Sequence, residues 1–298
     1  MHSKTVEFFL DSTIEIRLNE PMAHYSSVKI GGEAAIVAFP QNEADLINSI
    51  RFLHDNSIKY RLVGRMTNIL PKDEYYDGVV VSTRKMKGIQ LNGELITAEC
   101  GVTLPTLVNT ALAHSLGGAE ALSGSPGSIG GAIYSNAGAF GSEISDFIVD
   151  ARLYSIEGAE HLTLTSEELA FSYRNSALKA SKMVLLSARL RFSPSTRENI
   201  KNKLGEVKTR RAMTQPLEYP SLGSVFKRCG GTSAAKLIDE CGLKGFTIGG
   251  ASVSLKHSGF IVNLGGATEK DFNDLIALIK KTVFDKFSVR LTEEIEHL

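Results

Sequence analysis

The sequence predicts an α+β fold organised in two domains. Its 298 residues exceed what one small core requires, and 43% of them are hydrophobic, as in ordinary globular proteins. Helices and strands alternate along the chain, and segments typical of strands dominate its first two-thirds. The sequence composition changes at a polar segment that begins at Ser195, so we place the domain boundary at about residue 195.

The first domain is predicted to contain a capped helix followed by short buried strands. Asn42 is the expected N-cap because Asp45 follows three residues later, ahead of an apolar helix face. The segments YRLVG and GVVVST are short apolar runs of the kind that form buried strands. Asn92 and Gly93 interrupt an alternating segment and predict the turn of a β-hairpin.

A second helix and further strands complete the first domain. The segment TLPTLVNTALAHSLGG predicts a helix with Pro105 near its start and Gly117 just past its end. Strands are predicted on both sides of Glu157 and Gly158, and the segment MVLLSARLRF predicts one more.

Three helices are predicted after residue 195. Ser195 and Glu198 match a capping box and predict a basic helix that extends toward Met213. Two more helices are predicted around residues 236–241 and 271–287. The excess of Lys and Arg on the basic helix favours a solvated face, and a collar that attracts a phosphorylated ligand is the alternative.

Charge and cysteine content exclude several classes of function. The chain has 33 Lys and Arg and 33 Asp and Glu, so no net charge attracts it to nucleic acid or to an anionic membrane. Its three cysteines lack CxxC spacing, which predicts reduced thiols with no disulfide framework and no metal site. The apolar run before Asp11 is too short for a signal peptide, and no run reaches membrane-spanning length. We therefore expect a cytoplasmic protein.

The segment SGSPGSIGGAIYSNAGAFG, at Ser123–Gly141, contains six glycines and no charge. Flexible linkers rarely include its isoleucines and aromatic residues, and a strand would be weakened by its glycines. Glycines allow backbone N–H groups to approach a ligand, and Ile129 and Ile133 suit an apolar ring, so the segment favours a flat cofactor joined to a pyrophosphate. A tight loop packed on a sheet is the alternative. The motifs of Rossmann, P-loop, α/β-hydrolase and zincin enzymes are missing.

A second glycine-containing turn, GRMTNIL at Gly64–Leu70, follows the predicted strand YRLV. A strand that leads into a small turn with Thr67 and Asn68 is another place where the backbone can bind phosphates.

These segments resemble, in order, the signatures of UDP-N-acetylenolpyruvoylglucosamine reductases. The glycine-rich segment resembles the family's flavin-binding signature, and GRMTNIL resembles its first pyrophosphate loop. Ordered matches over about 270 residues are more specific than any single motif. The compact length and the segment QPLEYPS resemble the family's shorter class. The other matching segments are HYSSVKIGG, FSYRNSAL, QPLEYPSLGSVFKR, GGASVSLKHSGFIVN and VRLTEEI.

The resemblance implies a two-lobed FAD-binding region of the PCMH/vanillyl-alcohol-oxidase type, followed by a smaller α+β substrate-binding domain. The FAD-binding region is expected at residues 1–195, with lobes at about 1–83 and 84–195, and the substrate-binding domain at residues 196–298. The implied reaction is the FAD-dependent reduction of UDP-N-acetylglucosamine enolpyruvate to UDP-N-acetylmuramate, a cytoplasmic step of peptidoglycan precursor synthesis. FAD is non-covalent, NADPH is the co-substrate, and no nucleic acid or membrane partner is expected for what we predict to be a monomer.

The resemblance also implies three catalytic residues. Arg174 holds the substrate carboxylate, and Ser224, with Lys227 nearby, donates a proton to carbon. Glu294, when protonated, donates a hydrogen bond to the developing enolate, and strand alternation puts Glu293 on the opposite face. The implied FAD contacts are Gly64, Arg65, Thr67, Asn68, Ile69, Gly124, Ser125, Pro126, Gly127, Ser128, Gly130, Gly131, Asn136, Ala137, Gly138 and Gly141. The implied substrate contacts are Tyr173, Gln215, Lys227, His257 and Asn263.

Some of these residues have a local explanation as well. His257 could cap a turn, and Gln215 and Asn263 could satisfy nearby backbone groups. In GRMTNIL, the family usually has a glycine where Met66 stands and often another where Arg65 stands. Arg65 could pair with phosphate instead. Ser135 stands where a methionine is more usual.

Two other functions fit parts of the sequence. An oxidase on the same flavin scaffold would often tether flavin through a histidine in the first glycine loop, and GRMTNIL contains none. A catalytically silent flavin-binding or nucleotide-sugar-binding protein would not need Arg174, Ser224 and Glu294 together.

Overall fold

The computed structural model describes residues 2–298. These residues form two compact units, each assembled from separate stretches of the chain, and the boundaries between the units fall within strands as well as loops. The domain boundary near residue 195 and the two lobes before it stay predictions. The first unit contains the chain up to Leu18, Ile36–Arg65 and Gly78–Thr209, and the second contains Asn19–Ala35, Met66–Asp77 and Arg210–Leu298.

The secondary structure mixes helices and strands along the whole chain. The helices are α1 (His2–Asp11), α2 (Glu43–Asp55), α3 (Leu104–Ala113), α4 (Ile129–Ser135), α5 (Arg197–Thr214), α6 (Ala234–Glu240) and α7 (Glu269–Phe287). The strands are β1 (Glu15–Pro21), β2 (Glu33–Phe39), β3 (Tyr60–Val63), β4 (Ile69–Leu70), β5 (Tyr76–Ser82), β6 (Ile89–Asn92), β7 (Leu95–Glu99), β8 (Leu116–Gly117), β9 (Gly138–Ala139), β10 (Ser142–Glu143), β11 (Ile148–Ser155), β12 (Glu160–Thr165), β13 (Met183–Arg191), β14 (Ser193–Pro194), β15 (Ser221–Ser224), β16 (Thr247–Ile248), β17 (Ala251–Val253), β18 (Phe260–Asn263) and β19 (Glu296–His297).

A four-stranded sheet with the order β1-β2-β5-β3 includes the predicted strands YRLVG and GVVVST. β3 and β5 are parallel, and Val63 lies opposite Ser82 at the end where both strands finish. The predicted cap of α2 is confirmed, because the Asn42 side chain accepts a hydrogen bond from the backbone N–H of Asp45. The parallel pair matters for the site, since ligands of such sheets bind beyond the carboxyl ends of the strands.

A five-stranded antiparallel sheet with the order β12-β11-β13-β7-β6 confirms the predicted strand pairs of the first domain. The hairpin turn lies one residue later than predicted, because Asn92 pairs with Leu95 and leaves Gly93 and Glu94 as the turn. Gly93 has φ +60°, a conformation that glycine adopts without strain.

The ends of α3 and α5 also differ from the prediction. α3 ends at Ala113, and Ser115 rather than Gly117 adopts the left-handed conformation, with φ +57°. Gly117 instead pairs with Ser193 in the β8–β14 ladder. Ser195 continues that connection through its backbone N–H, so the hydroxyl of Thr196, not of Ser195, accepts from the first turn of α5.

In the second unit, an antiparallel sheet with the order β15-β18-β17-β16 shares a core with α6 and α7. The start of α7 is confirmed as a capping box between Thr268 and Asp271. The apolar stripe predicted for this helix is buried against the core, and it consists of Phe272, Leu275, Ile276, Ile279 and Val283. Across residues 2–298, none of the helices has the length and apolar character to cross a membrane.

Candidate active site

The glycine-rich segment is neither a linker nor a strand, because its centre forms the short helix α4. The Ser128 side chain caps α4 by accepting from the backbone N–H of Gly131 at 3.5 Å. Asn136 ends the helix in the left-handed conformation, with φ +44° and ψ +59°. A Cβ on Gly130 would lie 3.1 Å from the carbonyl oxygen of Cys100, so glycine lets the helix pack closely against the chain after β7.

The two glycine-containing segments meet within the first unit. Gly64 follows β3, and a Cβ added to it would lie only 2.5 Å from Ser128 Oγ. The Ser82 hydroxyl at the end of β5 is buried and has no hydrogen-bond partner within residues 2–298. A polar residue directly after the apolar run of a parallel strand is the signal that could have identified Ser82 from the sequence.

Some backbone N–H groups of the glycine-rich segment also lack a hydrogen-bond acceptor among the described residues. In the described part of the chain, the backbone N–H groups of Gly124, Gly127 and Ser128 have no hydrogen-bond partner. Buried polar groups in proteins are nearly always satisfied, and this rule applies to Ser82 and Ser128, since Gly124 is exposed and Gly127 is half-buried. The unpaired hydroxyl of Ser82 and these N–H groups therefore fit a cofactor with a pyrophosphate, which accepts hydrogen bonds at several oxygens.

The backbone at Met66 is of a kind that favours glycine, the residue that the resemblance places at this position. The residue has φ +52°, in the left-handed region that costs a side-chain-bearing residue about 1–2 kcal/mol. Its side chain is buried at 2% exposure, and its carbonyl oxygen accepts from the Ser27 N–H at 3.2 Å. The chain accepts this strain while burying a large apolar side chain next to the loop.

The Asn136 side chain, an implied FAD contact, forms hydrogen bonds within the protein. Its Nδ2 donates to Glu143 Oε2 at 2.8 Å and to the Ser172 carbonyl at 3.1 Å. Its Oδ1 accepts from the Ser145 N–H at 3.3 Å. The amide therefore stabilises the turn after α4, and any contact between Asn136 and a cofactor stays a prediction.

Arg174 is held against the glycine-rich segment. Its Nη1 donates to the Asn136 carbonyl at 3.4 Å and its Nη2 to the Gly138 carbonyl at 3.2 Å. Nη1 also lies 3.9 Å from Glu143 Oε1, and the guanidinium sits 5.2 Å from the centre of the Tyr173 ring. With φ +55°, Arg174 occupies a left-handed backbone position at the tip of a turn. The structure thus brings the predicted catalytic arginine to the predicted flavin segment.

Ser224 and Glu294 lie on neighbouring backbone segments of the second unit. Ser224 ends β15, where it is paired with Phe260 of β18. The next residue, Val225, accepts through its carbonyl from the Glu294 N–H at 2.8 Å. Gly223 has φ +79° with open space around a potential Cβ, and it lies at the irregularity in the β15–β18 register just before Ser224.

Glu293 is engaged on the opposite side of that segment. It accepts from Lys280 of α7 and from His297 Nε2, the latter at 2.9 Å. Burial raises the pKa of Glu293, but the hydrogen bonds from Lys280 and His297 outweigh it, so the net shift is downward. Since Glu293 is bound to α7 as a carboxylate, strand alternation directs Glu294 to the other face.

Two of the implied substrate contacts bind backbone groups, and Asn263 Oδ1 accepts from the nearby Gly265 and Ala267 N–H groups, as the alternative from the sequence had it. Asn263 is buried, and its Nδ2 donates to the Val28 carbonyl at 2.9 Å. His257 Nδ1 accepts from the Gly259 N–H at 3.1 Å, and burial lowers the pKa of its imidazole. Contact of either residue with a substrate stays a prediction.

Gln215 accepts at Oε1 from Nη1 of Arg211 at 3.0 Å. Arg211 is buried near the end of α5, and desolvation lowers the pKa of its guanidinium. The prediction of a solvated face for the basic helix is wrong at Arg211, and the sequence did not predict this contact. The sequence signal for this contact was the position of Arg211 only four residues before Gln215, the first residue of QPLEYPS.

Comparison with known proteins identifies both halves of the chain. A family model described as an FAD binding domain matches residues 34–163, and one for the C-terminal domain of UDP-N-acetylenolpyruvoylglucosamine reductase matches residues 215–298. The reductase of that name from Caldanaerobacter subterraneus subsp. tengcongensis is 44% identical over 282 residues, which cover 95% of this chain and 93% of the relative.

Solved structures agree with this result. The crystal structure of UDP-N-acetylenolpyruvylglucosamine reductase from Thermus caldophilus superposes with a TM-score of 0.80 at 31% identity and covers 95% of this chain and 98% of that one. A variant of berberine bridge enzyme, with a TM-score of 0.51 and 17% identity over 66% of this chain and 44% of its own, shares the fold alone. The predicted α+β fold with a PCMH-type FAD-binding region is confirmed. The chain belongs to the UDP-N-acetylenolpyruvoylglucosamine reductase family.

Proposed function

We propose that this protein reduces UDP-N-acetylglucosamine enolpyruvate to UDP-N-acetylmuramate with FAD as cofactor and NADPH as co-substrate. The observation that carries the proposal is the pairing of the Glu294 segment with the chain that follows Ser224. Hydride addition to an enolpyruvyl group requires a proton donor at carbon and a group that stabilises the enolate, and these two residues supply both.

FAD would be held mainly by the two glycine-containing segments. Ser82 and the free N–H groups of Gly124, Gly127 and Ser128 are the donors available to its phosphates, and Gly64 keeps space beside them. When bound, FAD supplies the hydride that NADPH has delivered to it. The further proposed contacts are Arg65, Thr67, Ile69, Ser125, Pro126, Gly130, Gly131, Asn136, Ala137, Gly138 and Gly141.

Arg174 binds the substrate carboxylate and stabilises the negative charge that develops on it. Its side chain is 19% exposed and already oriented by the carbonyls of Asn136 and Gly138, so little side-chain entropy is lost when it binds. An arginine can donate two parallel hydrogen bonds to a carboxylate, which fixes the enolpyruvyl group in one orientation.

Ser224 donates a proton to the carbon next to the carboxylate, and the nearby Lys227 favours the charged intermediate. The protonated carboxyl group of Glu294 donates a hydrogen bond to the enolate oxygen. The ionised Glu293, bound to Lys280, cannot take this role because it accepts hydrogen bonds on the other face. Tyr173, Gln215, His257 and Asn263 are the other proposed substrate contacts.

The protein acts in the cytoplasm, as a monomer, in peptidoglycan precursor synthesis. Support for the location is the chemistry of the reaction, because NADPH and nucleotide-activated sugars are cytoplasmic compounds. Support for the monomer is that one chain carries Arg174, Ser224 and Glu294. Light scattering on the purified protein measures the oligomeric state directly.

The absorbance spectrum of the purified protein tests the proposed function. We expect flavin bands that NADPH bleaches without oxygen and that the enolpyruvyl nucleotide sugar then restores, with UDP-N-acetylmuramate as the product. Bleaching without restoration by this substrate would identify a different flavin enzyme. A colourless protein that does not bind added FAD would contradict the proposal altogether.

A further inference from the structure

The C-terminal segment 292–298 connects two parts of the proposed active site within the second unit. On one side, the Lys227 N–H donates to the Thr292 carbonyl at 2.9 Å and the Glu294 N–H donates to the Val225 carbonyl at 2.8 Å. These two bonds align the segment with the residues that follow Ser224. They leave the carbonyl of Glu294 directed away from this neighbour.

On its other side, the same segment pairs with the loop GRMTNIL. β19 runs parallel to β4, and the N–H groups of Glu296 and Leu298 donate to the carbonyls of Asn68 and Leu70 at 2.9 and 3.2 Å. The segment therefore changes its partner at Glu294, where the chain passes from one backbone neighbour to the other.

The Asn68 side chain bridges this change of partner. Its Nδ2 donates to the Glu294 carbonyl at 2.9 Å, while its own carbonyl accepts from the Glu296 N–H. Asn68 thus holds the backbone on both sides of Ile295, and it is half-buried.

We propose that Asn68 is a positioning residue that orients Glu294 for the reaction, an inference that rests on the proposed function. The resemblance placed Asn68 among the FAD contacts, but its amide donor is directed to Glu294. A catalytic carboxyl group must be held to within about 0.5 Å, and the hydrogen bond to the Glu294 carbonyl fixes the backbone from which that carboxyl group extends. The contact also links the first flavin loop to the enolate-stabilising group.

Half-reaction kinetics of Asn68→Ala test this role. The substitution removes the amide donor and keeps the backbone carbonyl that binds Glu296. We expect FAD content and bleaching by NADPH to stay within about twofold of wild type. Restoration of the flavin by the enolpyruvyl nucleotide sugar is expected to slow by about tenfold to a hundredfold, the cost typical of misplacing a catalytic group by up to 1 Å. Asn68→Ser is a second variant, in which a shorter hydroxyl replaces the amide.

A double-mutant cycle separates positioning from general destabilisation. If Asn68 acts through Glu294, Asn68→Ala adds less than about twofold to the slowing caused by Glu294→Gln. Multiplication of the two effects would overturn the inference. The control Asn273→Ala removes a side-chain amide bond on α7 and is expected to change neither half-reaction.

Two other results would also overturn it. Equal slowing of both half-reactions, or loss of FAD, in both Asn68 variants would show that the amide serves the cofactor. A normal rate of flavin restoration in both Asn68 variants would show that the amide serves neither the cofactor nor Glu294. If the wild-type flavin is not restored by the substrate, the proposed function itself fails, which the wild-type control shows separately.

Discussion

Gly64→Ala tests the contact between the two glycine-containing segments. The added Cβ would lie 2.5 Å from Ser128 Oγ, whereas ordinary contacts of a Cβ begin at 3.4 Å, so one group must move by almost 1 Å. Ser128 cannot move freely, because it is 1% exposed and caps α4. Overpacking of this kind costs about 1–3 kcal/mol, and each kcal/mol lowers the Tm of a unit of this size by about 2–4 °C.

The structure also predicts how this substitution can be rescued. Removal of the hydroxyl in Ser128→Ala leaves the two Cβ atoms 3.7 Å apart, an ordinary van der Waals distance. Gly64→Ala should therefore cost little in that background. Ser128→Ala alone loses a long capping bond of 3.5 Å, at the low end of the roughly 0.5–2 kcal/mol that N-caps contribute. We expect a coupling free energy of at least about 1 kcal/mol between the two sites.

Thermal unfolding and FAD titration provide the measurements. Gly64→Ala should lower the Tm by about 2–12 °C and weaken FAD binding about tenfold or more, since the displaced Ser128 lies beside the proposed phosphate donors. Gly205→Ala is the control, because it lies exposed in α5 with no atom within 4 Å of an added Cβ. It should raise stability by about 0.5–1 kcal/mol. Unchanged Tm and FAD affinity in Gly64→Ala, or no rescue by Ser128→Ala, would refute the reasoning.

Four further outcomes are expected. Ser224→Ala should keep near-normal flavin bleaching by NADPH and slow its restoration by the enolpyruvyl nucleotide sugar at least about a hundredfold in stopped-flow absorbance, and equal slowing of both stages would contradict proton donation. Gly127→Glu should give a folded, colourless protein, so bound stoichiometric FAD would count against the phosphate-binding assignment. Neutralising Lys201 and Lys203, both exposed on α5, should change substrate affinity less than about threefold by titration, and a tenfold loss would favour a ligand collar. Backbone hydrogen bonds lower the pKa of Asp271, so the stability it contributes is present above its unfolded pKa and is lost as the pH falls through the lower folded pKa. The difference in Tm between wild type and Asp271→Asn should therefore shrink on acidification, and a difference independent of pH would exclude this linkage.

Local signals predicted many elements correctly, and non-local pairing explains where they failed. The caps of α2 and α7 depend on residues three positions apart, so the sequence contains all the information they need. The errors at the end of α3 and the start of α5 share one cause, which is the β8–β14 ladder. That ladder pairs Gly117 with Ser193, which lies far away in the sequence, so local signals could not predict it.

The sequence by itself determined the binary pattern, the caps and the candidate residues, because periodicity, glycine content and motif order are properties of the chain. Only the tertiary structure decided what each candidate side chain contacts. The Asn136 amide binds Ser172, 36 positions away, and the Asn68 amide binds Glu294, 226 positions away. A hydrogen bond requires its two groups to approach within about 3 Å, and folding alone brings such distant segments together.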